Sequence, residues 1–470
     1  MRNNVYKMLF MIVLSSLLLF LSMPGNRLSL VVFIAFIPFF YSIKDSSSVG
    51  EAMFAGLLFG GLSGTLIYSG FFLYGSIIFF YSVILLAIEF GLFGLLSKRF
   101  SFYVLMFAVP VLEYIRTLGP FGFPSSIAIA LWQDPELIGL SRYFGIYVIS
   151  MCIISVNLLL YLTISERQKK YLFPVFMIFV VMIIPYRFSN QNKISNKDDS
   201  LKVSIIQGGI PIWMYSMEPF SRKYNNLIEK TYITLTEKAL SQGCDLIVWP
   251  ETALHRFILN KKSTFYREFF EMKSRESDSS FVVGTPYRDK NGERNSLFLV
   301  KGNEHIRYDK MITVPIVESY FKKGEKYTFL ENSQISLTPA ICFESTFDSL
   351  VSKNTASGGD FIVVSTNDAG FRNTLIPYLH ASYSVFRAVE NRRYLIRAAQ
   401  AGISMIIDEN GNITKQMDLF TTGYLSGEIR KIKGLSFFTK YRDIIICIYV
   451  FLFIFSIIKS GASSPESSDH

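Results

Sequence analysis

Apolar residues crowd the two ends of this 470-residue chain, whereas polar and apolar positions mix through its middle. Long, mostly apolar runs lie near residues 6–23, 28–43, 50–73, 75–97, 101–119, 144–164 and 170–186, with a last one near 443–459. Runs of roughly 17 to 25 such residues cross a bilayer as helices, because no other open backbone arrangement satisfies its own hydrogen bonds in lipid. The pattern predicts a membrane α-helical bundle of about eight spans. The runs flanking Gly75 are the least sharply divided, since one tight turn separates them.

From residue 201 the period changes. VSIIQGG reads as a buried strand, Arg222 to Ser241 as an amphipathic helix and CDLIVWPE as a second strand. A polar helix near 263–276 follows, then FVVGTP, SLFLVKG and HIRYDK as strands. ISLTPAICFE, DFIVVSTND, a helix around 378–391, the strand segment YLIRAAQAGISMIID and a turn at Asn410 and Gly411 complete the region. Alternating strands and helices with added hairpins predict a layered α/β domain. The expected organisation is a transmembrane bundle over 1–190, about seven helices, a globular domain over 198–432, and a C-terminal transmembrane helix over 440–460. The small polar tail, 461–470, is expected to be disordered.

Composition supports this division: 50% hydrophobic and only 18% charged residues exclude an ordinary soluble protein. The first apolar run follows Arg2 and Lys7 and lacks a small-residue cleavage site, as a retained anchor would. With a cytoplasmic N-terminus, inside segments also carry Lys44, Lys98 and Arg99, Arg167, Lys169 and Lys170, and Lys459. The opposite loops hold mainly Arg27, Arg142 and Arg187, a bias that puts the globular domain outside. A formal net charge of +10 raises the question of nucleic acid, but no basic helix, arginine-rich arm or nucleic-acid motif accompanies it. No nucleic-acid partner is expected.

Cys152 and Cys447 fall in apolar runs, and Cys244 and Cys342 in the globular domain. A bridge between the latter two is open on counting, although one begins a strand and the other ends one. His255, His305, His380 and His470 are scattered, with no HExxH or CxxC spacing, so no metal or other cofactor is expected. Three strand ends are more informative. LIVWP runs into Glu251, HIRYD into Lys310 and LTPAI into Cys342. In layered α/β domains, strand ends where loops converge are the usual place for a reaction centre. A carboxylate, an ammonium and a thiol supply a general base, a cation for developing negative charge and a nucleophile. A lysine beside the cysteine is expected to favour thiolate over thiol.

These residues carry a resemblance. VWPETAL around Glu251, RYDKMITVP around Lys310 and ICFES around Cys342 resemble the three motifs of the nitrilase (carbon-nitrogen hydrolase) superfamily, and within it of the membrane-embedded apolipoprotein N-acyltransferases. Glu318, eight positions after the lysine, matches an additional glutamate of that family. Asn367, Asp368 and Ala369 match its NDA segment, and His380 through Ile407 resembles its closing helix and strand. Glu113, Arg116 and the run Gly122, Phe123, Pro124 match its ExxR and GFP segment.

The resemblance implies a four-layer α-β-β-α sandwich for the globular domain. It implies transfer of a fatty acyl chain from a phospholipid donor, through a Cys342 thioester, to the α-amino group of a diacylglyceryl-modified apolipoprotein cysteine. That is the final step of lipoprotein maturation, placed by the family at the bacterial inner membrane with the catalytic domain periplasmic. Glu251 would be the general base, and Lys310 with the N–H of Phe343 would stabilise the oxyanion. Glu318 and Glu344 would sit close by, orienting Lys310 or shaping the proton path. Trp213, in GIPIWMYSM, is either part of an apolar lid or plain core. Glu113 and Arg116, three residues apart on one helix, can pair side by side, as an interfacial pair or as a headgroup contact.

The chain departs from the family in places. VPIVESYF stands for the usual VPFGEYVP, and NDAGF for NDAWF, with Gly370 replacing a large aromatic. The segment between Lys310 and Cys342 is short, which suggests a trimmed loop at the entrance. A second reading keeps the fold and changes the reaction: a membrane-anchored amidase with water as acceptor, or an acyltransferase acting on another amine.

Overall fold

The computed structural model describes residues 2–191, 200–217, 221–254, 257–260 and 264–462. His255, His470 and the polar tail beyond residue 462 lie outside the described residues. The chain divides into two compact units: Met1–Phe188 with Thr374–Leu379 and Tyr441–His470, and Ser189–Asn373 with His380–Lys440.

Six helices among the described residues, which lie wholly or mostly in the first unit, are long and apolar enough to cross a membrane: Asn4–Ser22, Val49–Leu73, Ser76–Arg99, Ile146–Ser165, Lys169–Ser189 and Phe437–Gly461. The segments expected as spans at 28–43 and 101–119 form shorter apolar helices, Ser29–Lys44 and Val104–Ile115. The first of these is interrupted, a 3-10 turn at Ser29–Phe33 preceding an α-helix at Ile37–Lys44. Asn157 repairs the interruption, accepting from the Phe36 N–H at 2.9 Å and donating to the Val32 carbonyl at 2.8 Å. Irregular backbone in apolar surroundings requires partners of this kind. The last helix runs to Ala462, so Gly461, expected to begin the tail, is helical.

The runs on either side of Gly75 are two separate helices in close contact. A Cβ added to Gly56 would lie 1.9 Å from the Phe90 carbonyl oxygen, and one on Gly94 would lie 2.0 Å from that of Ala52. Glycine therefore lets the two backbones touch, the packing available to helices that gain no hydrophobic drive from lipid.

The second unit contains two six-stranded sheets. The first has the order β12-β1-β2-β3-β4-β5, with β1 Ser200–Gln207, β2 Leu246–Trp249, β3 Ser280–Asp289, β4 Gly292–Lys301, β5 Glu304–Asp309 and β12 Gly423–Arg430. The second has the order β11-β10-β9-β8-β7-β6, with β6 Leu330–Glu331, β7 Ser336–Ile341, β8 Phe361–Thr366, β9 Leu395–Ala399, β10 Ser404–Ile407 and β11 Ile413–Met417. Both follow one plan: three parallel strands joined by helices, continued by antiparallel hairpins.

Alternation along the strands explains the layering. Val203, Ile205, Leu246 and Val248 of the first sheet meet Leu337, Phe361, Val363 and Ile396 of the second in one core. The opposite face of the first sheet, with Ile247, Trp249 and Phe281, is covered by Ile228 and Tyr232 of the helix Arg222–Leu240 and Phe270 of the helix Thr264–Ser277. The helices Asp348–Ala356 and Ile376–Asn391 make the crossovers of the second sheet. The result is the α-β-β-α sandwich. YLIRAAQAGISMIID is two antiparallel strands, β9 and β10, with Met405 opposite Arg397. The pattern did not reveal β12, an edge strand interrupted by Gly423 and Gly427.

Candidate active site

Each reactive side chain stands just beyond a strand. Trp249 ends β2 fully buried, its indole N–H bonded to Thr236 at 2.9 Å, and Pro250 then withholds an N–H from the ladder. Glu251 follows, 5% exposed. Lys310 follows β5 and is 1% exposed. Cys342 follows β7 as the first residue of a 3-10 turn, Cys342–Thr346, with φ of 51°. A non-glycine residue in the left-handed region carries about 1–3 kcal/mol of strain and persists only where its surroundings hold it.

Glu251, Lys310 and Glu318 meet in one buried cluster. The Lys310 ammonium lies 2.8 Å from Glu318 Oε1 and 3.3 Å from Glu251 Oε1. Asn295, on β4, donates to Glu251 Oε1 at 2.6 Å and lies 3.4 Å from Glu318 Oε1. The backbone N–H of Asn367 donates to Glu251 Oε2 at 3.0 Å, and that of Val314 to Glu318 Oε2 at 2.7 Å. Burial pulls the Lys310 ammonium down, but Glu251 and Glu318 outweigh it and hold its pKa well above the ordinary lysine range. Charge at Cys342 bears on Lys310 and the reverse, so the thiol lies within electrostatic reach of the pair.

The thiolate expected from the sequence is reversed. Burial pushes the Cys342 thiol well above its ordinary range, the negative charge of Glu251 adds to this, and Lys310 offsets only part. One ammonium shared by two carboxylates leaves a surplus negative charge beside the sulfur. The resting group is a thiol.

Glu344 sits close by, as expected, and its contacts are mainly with the backbone. Its Oε1 accepts from the backbone N–H groups of Met311 at 2.6 Å and Ile312 at 3.0 Å and from the Tyr308 hydroxyl at 2.9 Å. Its Oε2 accepts from the Ile341 N–H at 2.8 Å. It thus ties the loop after Lys310 to the residue before Cys342. Burial pushes its carboxyl up to about 7, against the donors of Ile341 and Ile312. Phe343, after the nucleophile, sets its ring edge-on to Phe347, with centroids 5.0 Å apart.

Trp213 is 51% exposed and packs edge-on against Tyr224, so it is not a core residue. In the membrane unit, Arg116 pairs with Glu89 at 2.7 Å, and Glu113 accepts from Ile127 N–H at 2.9 Å and from the hydroxyls of Ser126 and Ser150. Both Glu113 and Glu89 are buried, so the group is an internal polar array and not an exposed pair at the interface. Glu89 escaped notice in the middle of an apolar run. Cys244 is a free thiol packed in the core beneath the first sheet, unbridged to Cys342.

The VPIVES departure has a structural counterpart. Ile316 has φ of 71°, a left-handed conformation that a β-branched residue adopts at a cost. Ile316→Gly is expected to raise the thermal midpoint by the equivalent of about 1 kcal/mol. Thermal unfolding of the detergent-purified protein checks this; an unchanged or lower midpoint would contradict it.

Two groups of residues at the site were not singled out for chemistry by sequence reasoning. Asn295 lies inside a strand with no motif around it, and only its facing position on β4 reveals it. Asp368, His380 and Arg397 stand on separate elements, yet donor atoms of Cys342, Asp368 and His380 lie within 4.8 Å of one another. Both imidazole nitrogens of His380 are engaged, by Asp368 at 2.8 Å and by the Cys342 carbonyl at 3.0 Å, so this group is a hydrogen-bonded array.

Comparison with known proteins agrees with this architecture. Residues 202–432 match the family model described as carbon-nitrogen hydrolase, and residues 15–159 match the apolipoprotein N-acyltransferase N-terminal domain. Among curated relatives, an apolipoprotein N-acyltransferase of Geobacter metallireducens is 29% identical, with 92% of this chain and 91% of the relative covered. Apolipoprotein N-acyltransferase 1 of Treponema denticola is 28% identical, with 90% of each covered. A relative of the same name from Thermotoga maritima is 25% identical over 96% of this chain and 93% of its own. With an N-terminal membrane domain and a carbon-nitrogen hydrolase domain in one chain, matched along nearly its whole length, the protein belongs to the apolipoprotein N-acyltransferase family.

Proposed function

We propose that this membrane enzyme transfers a fatty acyl chain from a phospholipid to the N-terminal α-amino group of a diacylglyceryl-modified apolipoprotein, by way of a thioester on Cys342. The observation that carries the reading is the buried contact of Glu251 with Lys310, 3.3 Å, at strand ends beside the cysteine turn. Cys342 Sγ attacks the ester carbonyl as Glu251 takes the thiol proton. The ammonium of Lys310 and the N–H of Phe343 stabilise the tetrahedral oxyanion, a kind of contribution worth about 3–4 kcal/mol per donor. Collapse breaks the ester C–O bond, and the departing lysophospholipid oxygen receives the proton from Glu251. The acceptor amine then attacks the thioester, Glu251 takes a proton from the nitrogen, and the sulfur leaves, receiving that proton from Glu251 to restore the resting thiol. Glu318 keeps Lys310 charged and in place throughout.

The sequence bias of basic loops supports placing the enzyme in the bacterial inner membrane with its catalytic domain on the periplasmic side. Exposed Trp213 suits an apolar lid over the acyl chain.

Intact mass spectrometry of the detergent-purified protein, after incubation with phosphatidylethanolamine, tests the reading. A hydroxylamine-labile acyl adduct is expected on the wild type and not on Cys342→Ala. Adding a diacylglyceryl lipopeptide should then discharge the adduct to an N-acylated peptide. Release of free fatty acid instead would point to the amidase, and no adduct on folded protein would sink the mechanism.

A further inference from the structure

The elements around Cys342 hold a second polar array that the acyl-transfer steps leave unused. His380, on the helix Ile376–Asn391, points its Nε2 at the carbonyl oxygen of Cys342, 3.0 Å away. A carbonyl oxygen has no hydrogen, so the imidazole is the donor. The Ser345 hydroxyl donates to the same oxygen at 2.8 Å and lies 3.2 Å from Nε2. On the other side of the ring, Nδ1 faces Asp368 Oδ1 at 2.8 Å, and Asp368 Oδ2 accepts from Arg397 at 2.9 Å. Arg397 Nη2 also lies 3.1 Å from Nδ1. Asp368 and Arg397 are almost fully buried, and Arg397 is further fixed by the carbonyl of Ile403 at 3.2 Å. The array therefore runs from a rigid interior to one atom, the carbonyl of the nucleophile.

That atom belongs to a residue in a costly conformation. Cys342 has φ of 51°, a left-handed backbone that an L-residue leaves downhill unless its surroundings hold it. Leaving it would swing Sγ away from the line of attack. We propose that His380 is a positioning residue: by donating to the Cys342 carbonyl, under orientation by Asp368 and Arg397, it holds the strained turn that aims the nucleophile. The inference rests on the reading of Cys342 as the residue that carries the acyl group.

The test compares wild type, His380→Ala and His380→Gln, the last retaining an amide N–H able to reach the carbonyl. Single-turnover acylation by phosphatidylethanolamine, kcat and KM for the donor, the alkylation rate of Cys342 by iodoacetamide and thermal unfolding are measured on each. His380→Ala is expected to acylate about 100-fold more slowly, the typical loss from an ångström of misplacement. KM should hold, and alkylation, which needs no exact aim, should change less than about threefold. His380→Gln should recover to within about tenfold of wild type. Wild-type acylation by His380→Ala would overturn the inference. So would a Gln variant as slow as Ala, or a slowing that comes with fast alkylation and loss of cooperative unfolding. A wild type that takes no acyl group would overturn the reading of Cys342 itself, and this inference with it.

Discussion

Lys310→Met is expected to lose acyl transfer by at least about 10³-fold and to unfold more easily by about 3–5 kcal/mol at neutral pH. The ammonium is 1% exposed and is the shared partner of Glu251 and Glu318. On the proposed mechanism its removal strips the oxyanion of its cation, and it leaves two buried carboxylates without their shared partner. Thermal unfolding and single-turnover acylation of the detergent-purified variant check both effects; a wild-type midpoint would contradict the structural part and wild-type acyl transfer the chemical one.

Glu251→Gln separates proton transfer from the ionisation of the thiol. Loss of a positioned general base typically costs about 10²–10⁴-fold, and acylation should fall within that range. The amide is also a poor fit, since Asn295, Lys310 and the Asn367 N–H all donate to this side chain. Burial of Cys342 is unchanged, but the next largest influence holding its proton, the charge of Glu251, is gone. Sulfur should ionise at lower pH than in wild type, and iodoacetamide should alkylate it faster near pH 7. Slower acylation with faster alkylation is the expected signature. A parallel fall in both rates would argue that Glu251 only shapes the pocket.

Much of this architecture could be read from pattern because each element had a strong local cause. The apolar runs announced the membrane helices, but interruptions such as the one capped by Asn157 depend on a residue more than a hundred positions away. The strand ends at Glu251, Lys310 and Cys342 stood out because a reactive side chain ended an apolar run. Asn295 did not, since a polar residue inside a hairpin strand has no periodic signature until the fold brings its amide to Glu251. Arg397 reads as one charge in a strand, and only the packing of β9 beside β8 brings it to Asp368. Glu344 was visible as a neighbour of the nucleophile, but its partners lie on another sheet's loop, so its bracing role was not. Glycine at the contacts of helices Val49–Tyr68 and Ser76–Arg99 gives no signal apart from smallness until two backbones meet.

The protonated state of Cys342 bears on how long the enzyme survives between substrates. Peroxides and disulfides react with thiolate, and a sulfur whose proton is held by burial and by Glu251 offers them little of it. On the proposed mechanism, an ester carbonyl set against the sulfur, with Lys310 ready for the oxygen, makes departure of that proton favourable. The same negative charge that keeps the resting nucleophile quiet thus disfavours its oxidation to sulfenic acid between turnovers.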